Sequence, residues 1–210
     1  MTSIPPDSER SHREPVPLIV PPVTLEGRDV RLAPLALEHA PALAALCEEE
    51  VFAQFSRVLR TRADVEAFIT SALSAAKQGT EQAFVILEKA TGEPLGSTRY
   101  LDIQRDNRTL EIGSTWLGRR SWRTRVNTEC KYLLLRHAFE QLQVMRVQLK
   151  TDRYNARSRA AIERMGAKFE GILRNHMLVR GGVVRDSAYY GVIDTDWPEV
   201  KARLEGFLQR

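Results

Sequence analysis

Between residues 82 and 117 three apolar-rich runs follow one another with only a turn between them. QAFVILEKA and EPLGSTRYLDI flank Thr91-Gly92, and TLEIGSTWLG comes just after Asp106-Asn107. Gaps this short cannot hold the crossover that a parallel pair requires, so the three runs are expected to form an antiparallel meander. Everything else in the chain has to pack on that meander or extend it.

The flanking segments show how. On the N-terminal side, VTLEGRDVRLAPL reads as two short strands around Gly27. LALEHAPALAALCEEE and TRADVEAFITSALSAAKQG read as helices, the second capped by Thr61 and stopped by Gly79. On the C-terminal side, TECKYLLLRHAFEQL has a helical stripe through Tyr132, Leu135, Ala138, Phe139 and Leu142, and VMRVQLKT follows as a strand. NARSRAAIERMGA is a helix ended by Gly166, and KFEGILRNHMLVR with VVRDSAYYGVID closes a hairpin across Gly181-Gly182. A meander followed by a strand–helix–strand crossover predicts an α/β (α+β mixed) fold. Its centre is a mixed, mostly antiparallel twisted sheet of about seven strands, with helices on both faces.

Composition sets the limits. The chain has 210 residues, 43% hydrophobic and 28% charged, enough for one core without disulfides or metal. Residues 1–22 carry six prolines among polar residues and are expected to be a disordered tail, leaving 23–210 as the single folded domain. Cys47 and Cys130 have no C-x-x-C spacing, which fits a reducing compartment, and four scattered histidines argue against a zinc site. No apolar run approaches the ~20 residues of a membrane span, and the N-terminus lacks the apolar core of a signal peptide. A cytoplasmic protein is expected. A net charge of +4 and a pI near 9.3 favour anionic ligands without requiring nucleic acid.

The charge is concentrated in WLGRRSWRTRVN, residues 116–127, with arginines at 119, 120, 123 and 125. This loop joins the end of a strand to the start of the most apolar helix. A helix N-terminus offers unpaired N–H groups and a partial positive charge, and arginine adds paired donors suited to phosphate. A pyrophosphate is the natural guest; a solvated basic loop is the alternative reading.

The element order, together with Asn155-Ala-Arg-Ser158, Met165-Gly166-Ala167, Glu170-Gly171 and the strand run Glu111-Ile-Gly-Ser-Thr-Trp116, resembles the GNAT superfamily, and more closely its RimJ/RimL-type N-acetyltransferases. The resemblance covers residues 23 to about 200. It implies a single acetyltransferase domain that takes acetyl-CoA as cosubstrate, with no metal, and a primary amine as acceptor. The acceptor would be a peptide or protein N-terminus or a small molecule, attacking the thioester directly. A homodimer is implied on the same ground. The backbone of Thr115, Trp116 and Leu117 would then pair with the pantetheine arm, and Trp122, Arg123, Thr124, Arg125, Val126 and Asn127 would cradle the phosphates. The family loop carries glycines where this chain has Arg125 and Asn127, so side-chain donors are expected to take over part of the backbone's work.

For the chemistry, the resemblance assigns Asn155 to the pantetheine amide and Ser158 to protonation of the leaving thiolate. A residue-level reading leaves both as a helix N-cap and a locally bonded serine. Two base candidates stand. Glu111 lies on the fourth strand, where it could equally be a cross-strand charge partner. His176 has a suitable intrinsic pKa and shares strand parity with Arg174 and Leu178, on the cleft side or facing solvent. Bulk water is the alternative for an acceptor of low pKa. Met177 occupies the position at which the resembled ribosomal-protein enzyme carries a glutamate. Two other classes stay open: a CoA-binding protein without catalysis, and a basic RNA- or ribosome-binding module, against which the absence of RNA-stacking motifs speaks.

Overall fold

The computed structural model describes residues 16–53, 55 and 57–209. Its strands are β1 (Leu25–Glu26), β2 (Val30–Pro34), β3 (Gln82–Glu88), β4 (Pro94–Gln104), β5 (Thr109–Leu117), β6 (Arg146–Asp152), β7 (Lys168–Val179) and β8 (Val183–Ile193). The helices are α1 (Ala40–Ala44), α2 (Arg62–Lys77), α3 (Val126–Arg136), α4 (Ala156–Arg164) and α5 (Trp197–Leu208). All eight strands join one sheet in the order β1-β2-β3-β4-β5-β6-β8-β7, one more than the seven expected. Every neighbouring pair among the described strands is antiparallel except β5–β6, which is parallel.

The meander stands where the short gaps put it, as β3, β4 and β5. Thr61 caps α2 as expected: its hydroxyl accepts from Asp64 N–H at 3.1 Å while the Asp64 carboxylate accepts from Thr61 N–H at 2.8 Å. The segment 36–50 yields only one turn and a half of α-helix, Ala40–Ala44, between 3-10 turns. The expected stripe on α3 is broader than a single face, because Thr128 to Lys131 and Leu133 to Leu135 are all buried. That helix lies between the sheet and α5, which stacks Trp197 on Phe139 at 5.5 Å. Helix α5 itself is an addition to the expected order; Pro198 in its first turn and buried Val200 and Leu204 explain its start and its inner face.

Two cores flank the sheet. One, beneath α3, α4 and α5, gathers Phe84, Ile86, Tyr100, Leu110, Ile112, Val147, Leu149 and Tyr190 with residues of those helices. The other, beneath α1 and α2, gathers Val85, Leu87, Val65, Ile69, Phe52 and Trp116. The first core also contains Leu18, which is 2% exposed and donates its N–H to Arg105 O at 2.8 Å. Part of the expected tail therefore packs on the domain: residues 16–22 form no helix or strand but are held against it. Residues 1–15 of that tail lie outside the described residues.

Helix α3 ends in a π turn, His137–Gln141. Tyr100 packs against this end: its buried hydroxyl donates to Leu134 O at 2.7 Å, a carbonyl that also accepts from His137 N–H.

Candidate active site

The parallel pairing of β5 with β6 is short. It covers Thr109 to Glu111 against Arg146 to Gln148 and stops there, although β5 runs on to Leu117 and β6 to Asp152. Beyond Glu111 the two strands splay, so β5 keeps β4 on one side and presents an unpaired backbone edge on the other. Buried N–H and C=O groups need partners, and such an edge can accept an extended, amide-bearing ligand as a neighbouring strand.

A bulge sets which way that edge points. Ser97 pairs with Trp116 but Arg99 pairs with Gly113, so β5 carries one extra residue. Ser114 takes it up in a left-handed conformation, φ 49°. The bulge turns Thr115 toward α3, where its hydroxyl lies 2.8 Å from Thr98 Oγ1 and accepts from Lys131 Nζ at 2.7 Å. Trp116 turns the other way, onto Phe52 at 5.3 Å. Trp116 and Leu117 are buried, so neither side chain walls the opening and each offers it only main chain.

At the N-terminus of α3 the arginine loop divides. Arg119 faces Glu48 and Glu50, and Arg120 faces Glu93, in surface ion pairs. Arg123, Thr124 and Arg125 line an open cavity of about 520 Å³ together with Thr128, Arg164 and Phe207. Arg164 donates to Thr128 Oγ1 at 2.8 Å and stacks over the Phe207 ring, and Arg125 reaches Leu208 O at 3.2 Å. Trp122 is turned inward, its indole N–H bonded to Leu117 O at 2.8 Å, with Arg157 over its ring. Val126 packs against the core and Asn127 sits in the first turn of α3.

The backbone at the two positions where the family loop carries glycines is ordinary. Arg125 is right-handed, φ −72°, and Asn127 is helical, so neither position needs a glycine here. The left-handed residue of the loop is Arg123, φ 61°. Thr128, Arg164 and Phe207 were not singled out in the sequence; they come from three different helices or their ends, and no local pattern joins them to the loop.

Asn155 is the N-cap of α4, its side-chain oxygen accepting from Ser158 N–H at 3.0 Å. That leaves its amide N–H₂ and the Ser158 hydroxyl uncommitted to the cap. Ser158 is half-buried.

On the opposite face of the splay, strand alternation brings a polar group together where α1 and α2 no longer cover the sheet. Glu111 is 2% exposed and accepts from Lys150 Nζ at 2.9 Å and Gln148 Nε2 at 3.0 Å, so its carboxylate is already engaged. His176 lies between Ser187 Oγ and Tyr189 OH, 2.9 Å from each. Burial, then the charges of Lys150 and Arg185, hold its pKa below the usual 6.5. At neutral pH the ring is therefore uncharged, with one nitrogen able to take a proton. Lys131, behind the bulge, is buried to 7% exposure, and that burial lowers its ammonium to a pKa of about 8.

Among the described residues no cluster of three or more His, Cys, Asp or Glu side chains is placed to hold a metal ion, and no helix is long and apolar enough to cross a membrane.

The chain shares this architecture with known proteins. A GCN5-related N-acetyltransferase from Brucella melitensis superposes with a TM-score of 0.84 at 32% identity, covering 92% of this chain and 89% of that one. RimJ of Mycobacterium smegmatis, solved in complex with CoA-disulfide, shares the fold at 20% identity, with a TM-score of 0.77 over 89% of this chain and 95% of its own. The uncharacterized N-acetyltransferase p20 of Bacillus licheniformis is 27% identical over 107 residues, 51% of this chain; the match spans 60% of the relative's length. Residues 29–168 match the model of the acetyltransferase (GNAT) domain. That is more than half of the sequence and includes β5, the bulge, the arginine loop and α4, so the chain belongs to the GNAT acetyltransferase family.

Proposed function

We propose that this protein transfers the acetyl group of acetyl-CoA to a primary amine, either a peptide or protein N-terminus or a small-molecule amine, by direct attack on the thioester. The observation that carries the reading is the unpaired edge of β5 beyond Glu111, which leads to a basic cavity at the start of α3. Acetyl-CoA fits these features chemically: an amide-bearing arm for the edge, and a phosphorylated end for Arg123, Thr124, Arg125, Thr128 and Arg164. When bound it supplies an activated acyl group.

The remaining work falls to the chain's own residues. Backbone groups of Thr115, Trp116 and Leu117 bind the arm, and the free amide N–H₂ of Asn155 donates to one of its carbonyls. Ser158, three residues further along α4, gives a proton to the departing thiolate. Deprotonation of the acceptor falls to His176 more readily than to Glu111. His176 is neutral at pH 7, whereas the Glu111 carboxylate is held by Lys150 and Gln148.

The test is release of free thiol from acetyl-CoA with a panel of peptides and amines. Turnover with at least one amine is expected. Arg123→Ala should weaken acetyl-CoA roughly tenfold, less at high salt, as loss of one exposed charge-assisted phosphate contact implies. Binding without turnover of any amine would instead identify a CoA-binding protein, and stabilisation by RNA alone a nucleic-acid module.

A further inference from the structure

Strand β7 does not run evenly beside β8. Leu173 pairs with Ser187 and Met177 pairs with Arg185, so residues 174, 175 and 176 face the single residue Asp186. Asn175 takes the resulting bulge in a left-handed conformation, φ 50°, and donates its N–H to Asp186 Oδ1 at 2.8 Å. Arg153 fixes the same carboxylate from the other side at 2.9 Å. Because of this bulge His176 does not keep the strand parity that the sequence implies with Arg174 and Leu178. It is turned onto β8, where Ser187 and Tyr189 clasp its two nitrogens. Asparagine tolerates the left-handed conformation better than most residues, the buttressed carboxylate holds it there, and such bulges commonly re-aim functional side chains.

The clasp has a chemical consequence. Ser187 is fully buried on the Nδ1 side, and the Tyr189 hydroxyl stands on Nε2, so a proton bound for Nε2 arrives through the phenol. We propose that Tyr189 is a catalytic residue, the conduit by which the acceptor ammonium loses its proton to His176. The proposal rests on the acetyl-transfer reading above.

The step balances. The ammonium N–H bond breaks as its proton passes to the phenol oxygen, and the phenol O–H proton passes to Nε2. The lone pair left on the amine is then free to attack, and the imidazolium donates its Nδ1–H to Ser187 Oγ until it returns its proton to water. The groups facing this pair are Lys150 of β6, Arg185 of β8, Glu111 of β5 and, toward Tyr189, Asp102 of β4. The Tyr189 pKa is raised, first by burial, so the phenol relays a proton and does not become a phenolate base.

Tyr189→Phe and His176→Gln would be assayed at pH 7 with acceptors of graded basicity, acetyl-CoA being saturating. For an amine of pKa near ~10, kcat/KM should fall about 100-fold in either variant, the lower end of general-base contributions. For a fluorinated amine already neutral at pH 7, the loss should stay within about threefold, and the KM for acetyl-CoA should not change in either case. A merely structural role would depress all acceptors alike. Equal loss across the series, or no loss in active protein, overturns the relay alone. A wild-type protein that binds acetyl-CoA but turns over no acceptor overturns the acetyl-transfer reading and the relay with it.

Discussion

Lys131 is a buried cation whose one hydrogen-bond partner among the described residues is the Thr115 hydroxyl, at 2.7 Å. Its pKa falls from 10.5 to about 8, chiefly because burial disfavours the ammonium; neighbouring Cys130 and Glu111 offset part of that effect. Between those two values the native state holds fewer protons than the unfolded chain. Stability therefore rises with pH through this window, and below about 8 the cost is fully present. At about 1.36 kcal/mol per pH unit that cost is roughly 3 kcal/mol.

Lys131→Met keeps most of the length of the side chain and removes the charge. It also removes the hydrogen bond to Thr115, worth about 1 kcal/mol, although Thr115 keeps Thr98 as a partner. The net gain at pH 7 should be about 2 kcal/mol, or roughly 4–8 °C in Tm for a chain of this size. Urea unfolding of both proteins at pH 7, 8, 9 and 9.5 provides the check. The wild type should gain about 2 kcal/mol between pH 8 and 9.5 relative to the variant, because all other titrating groups are common to both. A variant that is less stable at pH 7, with the two curves rising in parallel, would refute the assignment of a destabilising buried ammonium.

Two further substitutions test the proposed site. Gly96→Ala would place a methyl group 2.0 Å from Trp116 O, and backbone cannot yield there without moving β4 from β5. The variant should lose at least about 2 kcal/mol in urea unfolding, with acetyl-CoA affinity falling as the β5 edge shifts. Ser158→Ala removes a hydroxyl that the Asn155 cap does not use, since the cap takes the backbone N–H. Its thermal midpoint should match wild type, while kcat falls about 100-fold and the KM for acetyl-CoA stays within twofold.

What the sequence discloses and what it conceals follow from how far apart the determining residues are. The meander, the α2 cap and the Asn155 cap are each set within a few residues, and spacing alone reveals them. The family resemblance likewise rests on local runs in β5 and α4. The two bulges are different. Ser114 and Asn175 become left-handed because of how β5 meets β4 and β7 meets β8, and neither is a glycine that would have announced it. Yet these bulges decide which face each candidate occupies: Thr115 toward α3, Trp116 into the α2 core, His176 onto Tyr189.

The same distance rule accounts for the arginine loop. Four arginines in seven residues look like one binding loop, but charge in sequence does not say where guanidinium groups point. Glu48, Glu50 and Glu93 draw Arg119 and Arg120 away, while Arg164, from α4, joins Arg123 and Arg125 in the cavity. The positive φ of the loop falls at Arg123, one of the cavity's own arginines, which makes backbone conformation and cavity charge properties of a single residue. A glycine there would relax the backbone and remove the charge together. An arginine keeps the charge at a conformational cost of about 1 kcal/mol or more, a cost that the phosphate contact of the proposed function would offset.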